Sequence, residues 1–439
     1  MKIDQVRSTV KSAATLLLVS FAVGSHIQTL AQPALGVLPK SEQAQYAPPA
    51  LSGPSAASTS SAATPTLNAA PSQAQVIPTA PAVAAKAYIL MDADSGAVLA
   101  ESGADDRLAP ASLTKLMTSY VLSYEIEQGH VHPDDMVTIS EGAWTQNPAF
   151  KESSLMFIEV GKQVRLHDLH LGIVVVSGND ATTAVAEYLA GSESAFAAVM
   201  NEHAKRLGMS GTHYVNSHGL PDPDHYTTAR DLAKLSKAII GFPDEYALYK
   251  VKDFTFNKIR QVNRNGLLFR DPSVDGLKTG HTQEAGYCLV ASAKRGNQRL
   301  ISVILGADSI ATRERETEKL LSWGFRYYET RPVYQANTEL ANTRVWSGAK
   351  DAVPVGVASD VTLTIPRGRG DAIQAVMNVD KYLKAPISAQ QVIGDVIVTL
   401  DGREIARTPL IALENVDRGG IFKRFWDWMV LLFTQFLSK

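Results

Sequence analysis

Strand patterns stand at both ends of one long segment with helical patterns between them. This order limits the fold more than any other feature of the chain. AYILMDADSGAVLAE, starting at Ala87, places apolar stretches around Asp94-Ser95-Gly96, a hairpin signal. Helical patterns follow at 113–127, 166–176, 180–190, 194–207 and 229–240. Strand patterns return at 286–293 (GYCLVASA) and 300–306 (LISVILG), and a helix around 315–328 closes the unit. The first strands then pair with the last, which predicts an α+β domain over 86–330. From 331 to 416 the texture changes to short alternating runs such as VASDVTLTIPRG and GDVIVTLDGREIARTPLIAL. These predict a small all-β domain. It holds no histidine, so a structural role is expected of it.

The two ends carry other signals. Lys2, Arg7 and Lys11 precede the short apolar run AATLLLVSFAVG, and Ala31 offers a small residue for cleavage. That pattern predicts a signal peptide over 1–31 and an exported protein. Residues 32–85 are rich in Ala, Pro and Ser with almost no charge, and are expected to form a disordered tether. At the other end, 417–439 reads as an amphipathic helix. Lys423, Arg424 and Asp427 fall on one face, and Phe422, Phe425, Trp426, Met429 and Leu432 on the other. Leu431 is the exception, an apolar residue on the polar face. Such a helix is expected to lie in a membrane surface rather than to cross it.

Composition excludes other classes. Lys+Arg 42 against Asp+Glu 44 leaves a net charge of -2, so no nucleic-acid partner is expected. Cys288 is the single cysteine, which excludes an intramolecular disulfide and a Cys-rich zinc site. It reads as a small buried hydrophobe in a strand.

Three motifs carry chemistry. Ser112-Leu113-Thr114-Lys115 sets a serine and a lysine one helical turn apart, so a neutral amine can take the proton of an attacking hydroxyl. Ser177-Gly178-Asn179 presents a hydroxyl and an amide at a helix end, which can relay a proton and orient a substrate amide. By itself it reads as an ordinary capping turn. Lys278-Thr279-Gly280-His281 precedes a strand. Gly280 leaves the backbone bare for a substrate to pair along an edge, and Lys278 and Thr279 offer a charge and a hydroxyl to a carboxylate.

In this order and spacing, S-x-x-K, S-G-N and K-T-G resemble the signature of penicillin-binding proteins and serine β-lactamases. PASLTKLMTSYV, VVVSGNDATTAVAEYLAGSE, VDGLKTGHTQEAGYCLVASA and LLSWGFRYYE narrow the resemblance. The chain is similar to the low-molecular-mass D-alanyl-D-alanine carboxypeptidases of the peptidase S11 group, the group of penicillin-binding proteins 5 and 6. The resemblance implies a transpeptidase-like domain, a small β-rich domain and a membrane-anchoring helix. It implies Ser112 as nucleophile, Lys115 as general base with Lys278 the nearby cation that favours its neutral form, and Ser177 as proton shuttle. Asn179, Lys278, Thr279 and Gly280 would hold substrate, with a backbone N–H of Ser112 in the oxyanion hole. His281 matches a cleft position or is a strand-surface histidine. Arg313, placed before the last helix, either meets the substrate carboxylate or forms a surface ion pair. His218 and Asp231 match positions behind the cleft, but read more simply as a turn histidine and a helix-capping aspartate. Asp92 and Asp94 read as hairpin chemistry.

The implied reaction is removal of the terminal D-alanine from a peptidoglycan pentapeptide through an acyl-enzyme, with no metal or other cofactor. β-Lactams would acylate the same serine and leave slowly. The implied location is the periplasm, on the outer face of the cytoplasmic membrane. Three competitors stay open. A D,D-endopeptidase typically lacks the second domain and the anchor. A β-lactamase needs a deacylating glutamate that no pattern supplies here. A non-catalytic penicillin-binding scaffold is favoured only where a motif residue is lost, and none is.

Overall fold

The structure is a computed structural model that describes residues 77–380 and 382–437, with side chains in the last helix described as far as Leu432. The expected signal peptide and residues 32–76 of the expected tether lie outside the described residues.

The first and last strands of the large domain do pair. Its sheet runs in the order Val98–Ser102, Ala87–Asp92, Gln298–Ala307, Gly286–Arg295, Val274–Thr282. Every neighbouring pair is antiparallel, with Ala87 opposite Leu305 and Lys278 opposite Val290. Successive side chains in a strand point to opposite faces. Ile89 and Val303 therefore join the helical core on one face, while Leu90 and Ile304 meet Leu320, Leu321 and Phe325 on the other. Burial on both faces explains why GYCLVASA is apolar without alternation.

The Lys115–Glu127 helix sits in that core, with every residue from Lys115 to Ser123 buried. Its polar side chains bond to protein groups, as burial requires. Thr118 Oγ1 donates to the Ser217 carbonyl at 2.6 Å, and Ser123 Oγ to that of Ser119 at 2.8 Å. The Asn179–Ala190, Glu193–Arg206 and Ala229–Ile240 helices agree with the sequence pattern. Two short hairpins, Met136–Thr138 with Gln163–Arg165 and Asp253–Phe256 with Ile259–Val262, were not foreseen. Three or four residues are too short for a period to show.

Two expectations need correcting. The last helix of the domain spans Ile310–Tyr327, because Ser309 caps it by accepting from Thr312 N. Arg313 is thus inside the helix, not before it. Order also begins earlier than Lys86. The Trp323 indole donates to Pro78 O at 3.3 Å, Lys319 Nζ to Ala82 O at 2.9 Å, and Ala80 and Val83 pack on the Leu320–Phe325 cluster. Their apolar contacts come from a distant helix, which composition alone does not reveal.

The second domain is built of strands. Tyr328–Tyr334 pairs with Val361–Pro366, and a five-stranded antiparallel sheet runs Ala341–Arg344, Ala352–Val357, Arg403–Ala412, Val392–Leu400, Ile373–Val379. Valine, leucine and isoleucine fill its core. The Asp92–Ser95 turn reaches across to this domain. Asp92 Oδ1 accepts from Ser95 N at 2.9 Å while its Oδ2 accepts from Thr330 Oγ1, and the hydroxyls of Ser95 and Thr364 meet at 2.6 Å.

The C-terminal helix spans Ile421–Leu437. It follows strand-like pairing of Gly348 with Arg418. Lys423 Nζ pairs with Asp351, and Asp427 Oδ2 accepts from Ser347 N at 2.7 Å. Leu431, one further turn along the same line, is buried. The apolar exception on the polar face is therefore a buried residue. Phe422, Phe425, Trp426, Trp428, Met429 and Leu432 face outward. No helix among the described residues is long and apolar enough to cross a membrane.

Candidate active site

A cleft of about 1110 Å³ opens where the Lys115–Glu127 helix meets the edge of the sheet. Ser112, Ser177, Asn179, Thr279, Gly280, His281 and Arg313 line it. Lys115 and Lys278 are buried beside these residues. The three motifs thus converge, although Lys278 lies 166 positions after Ser112.

Ser112 stands in a single 3₁₀ turn, Ala111–Thr114, that runs into the helix. Ala111 has φ 49°, a left-handed conformation that costs a non-glycine residue energy and recurs at functional sites. The neighbours hold it there. A Cβ on Gly219 would come within 1.9 Å of the Ala111 carbonyl oxygen, so only glycine fits. Thr114 Oγ1 donates to Ala111 O at 2.9 Å and lies 2.7 Å from His225 Nε2. His225 Nδ1 accepts from Val215 N at 3.1 Å, so Nε2 carries the proton that it gives Thr114. Burial pushes this imidazole down to about 4, which keeps it neutral.

Lys115 Nζ lies 3.3 Å from Ser112 Oγ, 2.7 Å from Asn179 Oδ1 and 2.6 Å from the His218 carbonyl. A neutral amine has two N–H groups and one lone pair. The two carbonyl oxygens take the N–H groups, and the lone pair is left for the Ser112 hydroxyl. Burial brings the Lys115 ammonium down to about 7, and Arg264 on the cleft wall acts in the same sense. Asp180 and Glu193 oppose them. Lys278, read as the nearby cation, is itself held well below the usual lysine range, first by burial and then by Lys115, so the two amines disfavour each other's charge. Lys278 Nζ donates to Thr279 O at 3.0 Å, and Thr279 lines the cleft.

Val274–Thr282 is the outermost strand of its sheet, so the edge beside the cleft is open. Gly280 has a second reason to be glycine. A Cβ there would sit 3.0 Å from Pro110 O and 3.2 Å from Leu113 Cγ, against the nucleophile turn. His281 is exposed, stacks on Tyr287 at 4.1 Å between ring centres, and lines the cleft. Arg313 is buried, not a surface ion pair. Its Nη1 reaches Gly280 O at 3.4 Å and Cys288 O at 3.5 Å, and its Nε has no partner in the described protein. Cys288 is fully buried as expected, and burial pushes its thiol up to about 11.

Ser177 closes a π turn, Gly172–Val176, with φ 65°, and Asn179 is the first residue of the next helix. Asp180 was not singled out in the sequence. Its fully buried carboxylate accepts from Met156 N at 2.8 Å, Phe157 N at 2.8 Å and Ala181 N at 2.9 Å, and from Thr145 Oγ1 at 3.0 Å. Asn179 N donates to Ser154 O at 2.8 Å. Asn179 thus ties the cleft-lining Ser154 to the S-G-N turn, and Asp180 ties the following 156–158 segment to it. His218 is more than a turn residue, because its carbonyl holds Lys115. Glu193 Oε1 holds its ring at 3.0 Å and accepts from Ser217 Oγ at 2.8 Å. Burial opposes the charge on Glu193, but these bonds pull its carboxyl down to about 2. Asp231 lies away from the cleft lining, accepting from Gly211 N at 2.8 Å and Thr212 Oγ1 at 2.9 Å, a structural role as read.

Comparison with known proteins agrees with this geometry. The sequence family described as D-alanyl-D-alanine carboxypeptidase, peptidase S11, matches residues 74–309. The penicillin-binding protein 5 C-terminal domain family matches 328–418. The D-alanyl-D-alanine carboxypeptidase DacC of Escherichia coli is 47% identical over 364 residues, 82% of this chain and 91% of that protein. The crystal structure of penicillin-binding protein 5 from Haemophilus influenzae is similar with a TM-score of 0.75 at 46% identity, covering 77% of this chain and 99% of that one. Penicillin-binding protein 6B of Escherichia coli is similar with a TM-score of 0.65 at 38% identity, covering 76% and 97%.

Proposed function

The chain belongs to the peptidase S11 family and is a serine-type D-alanyl-D-alanine carboxypeptidase, and from that premise we propose how its own residues carry the reaction. Ser112 Oγ attacks the carbonyl between the two terminal D-alanines, and its proton passes to Lys115 Nζ. The N–H of Ser112 helps hold the oxyanion. Ser177 relays that proton from Lys115 to the leaving nitrogen, and D-alanine departs with Lys115 neutral again. Water then attacks the ester, giving a proton to Lys115 that passes on to the departing Ser112 Oγ, and the acid and free Ser112 are released. Asn179 and the open edge at Gly280 hold the peptide backbone. Thr279 binds the terminal carboxylate, with Lys278, Arg313 and His281 supplying the polar wall. The observation that carries this reading is the Ser112–Lys115 pair at 3.3 Å, with an amine brought down to about 7. At neutral pH much of it is free to accept a proton.

The substrate proposed is the peptidoglycan pentapeptide, and β-lactams acylate the same serine with slow turnover. The domains are assigned as 86–330 for catalysis, 331–416 for support and 417–439 for attachment. The outward aromatic face of Ile421–Leu437 supports peripheral binding to the outer face of the cytoplasmic membrane, after export directed by 1–31. The test is D-alanine release from a peptide ending in D-Ala-D-Ala, beside labelling by fluorescent penicillin. Wild type should do both and Ser112→Ala neither; labelling of Ser112→Ala would move the nucleophile elsewhere. Deleting 419–439 should free the protein from membranes; continued sedimentation with them would reject the anchor.

A further inference from the structure

The second domain has one long sheet edge that is open. Ile373–Val379 is outermost in the five-stranded sheet, so one row of its backbone N–H and C=O groups meets no strand among the described residues. Its pairing with Val392–Leu400 runs without a bulge from Ile373 opposite Leu400 to Val379 opposite Gly394. The sequence IQAVMNV has no charge and no proline. Val376 is 60% exposed and Met377 40%. The opposite edge of the same sheet is guarded: Ala341–Arg344, ANTR, is short and carries an arginine. A long, flat, uncharged edge is a template for another strand.

We propose that Ile373–Val379 pairs antiparallel with the same strand of a second copy of this chain, about a two-fold axis at Val376. The residue order supports this occupant. With the axis at Val376, Ile373 faces Val379, Ala375 faces Met377, Gln374 faces Asn378 and Val376 faces itself. Apolar residues meet apolar ones and amide meets amide, the pairs that stabilise sheets. Moving the axis one residue either way sets Gln374 against Val376 or Val376 against Asn378. The contact is isologous and closes at two copies. One strand pair is small for a stable interface, so the association is weak and exchanging.

Cross-linking reads the register directly. Cys288 is fully buried, so a thiol placed on the strand is the one that reports. The full chain carrying Val376→Cys, in membranes and under mild oxidation, should form a disulfide-linked dimer. It should exceed that of Gln374→Cys about tenfold, because self-facing Cα atoms fall within disulfide reach and 374 faces 378. Gln374→Cys/Asn378→Cys together should restore the dimer. D-alanine release by each variant shows that it is folded. A folded Val376→Cys that stays monomeric, or equal cross-linking at 374 and 376, overturns the proposal.

Discussion

The two domains treat charge in opposite ways. The catalytic domain buries Lys115, Asp180, Lys278 and Arg313, each at most 4% exposed. Among the described residues of 331–416, no Asp, Glu, Lys, Arg or His is buried. Burying an ion costs stability unless it is paired and hydrogen-bonded. The second domain avoids that cost and packs valine, leucine and isoleucine against one another. The catalytic domain accepts it within reach of Ser112, where a buried amine with a lowered pKa is useful as a base. The contrast teaches where to look for function in this chain: polar groups inside the first domain, surfaces on the second.

Substitutions can break that contrast. The largest effect is expected at the buried base. Lys115→Ala should slow acylation by about 10²–10⁴-fold, measured by penicillin trapping, with thermal unfolding still cooperative. The second domain should respond in stability instead. Leu410→Ala removes a fully buried side chain and should cost about 2–5 kcal/mol in denaturant unfolding of that domain. Its kcat/KM per folded molecule should stay as in wild type.

Asp180→Asn should lower kcat/KM by roughly tenfold to a hundredfold, because the 156–158 segment beside the cleft loses its anchor. It also removes a negative charge that favours the Lys115 ammonium. The acid limb of the pH profile should therefore move to lower pH. The smallest effect is expected from Arg264→Gln. This removes a cation that disfavours the ammonium, so the limb should move to higher pH. Limbs that move together, or not at all, would separate the pH dependence from Lys115.

Much of this was legible in the sequence because it is periodic or ordered. The Ala87–Asp92 and Gln298–Ala307 strands and the Ala229–Ile240 helix follow apolar spacing. Ser112, Lys115, Ser177 and Lys278 were found from motif order. The rest depends on contacts between distant segments. His218 matters through a carbonyl, a group every residue has, set against a lysine 103 positions away. His225 braces Thr114 across 111 positions, and Asp180 collects amides from a loop 22 to 24 positions back.

The most direct test is the rate of Ser112 acylation by penicillin from about pH 5 to about pH 9. The neutral form of Lys115 must be present, so the rate should rise with pH and reach half its maximum at about 7. A rate that is flat across that range, or that falls as pH rises through 7, would contradict Lys115 as the base.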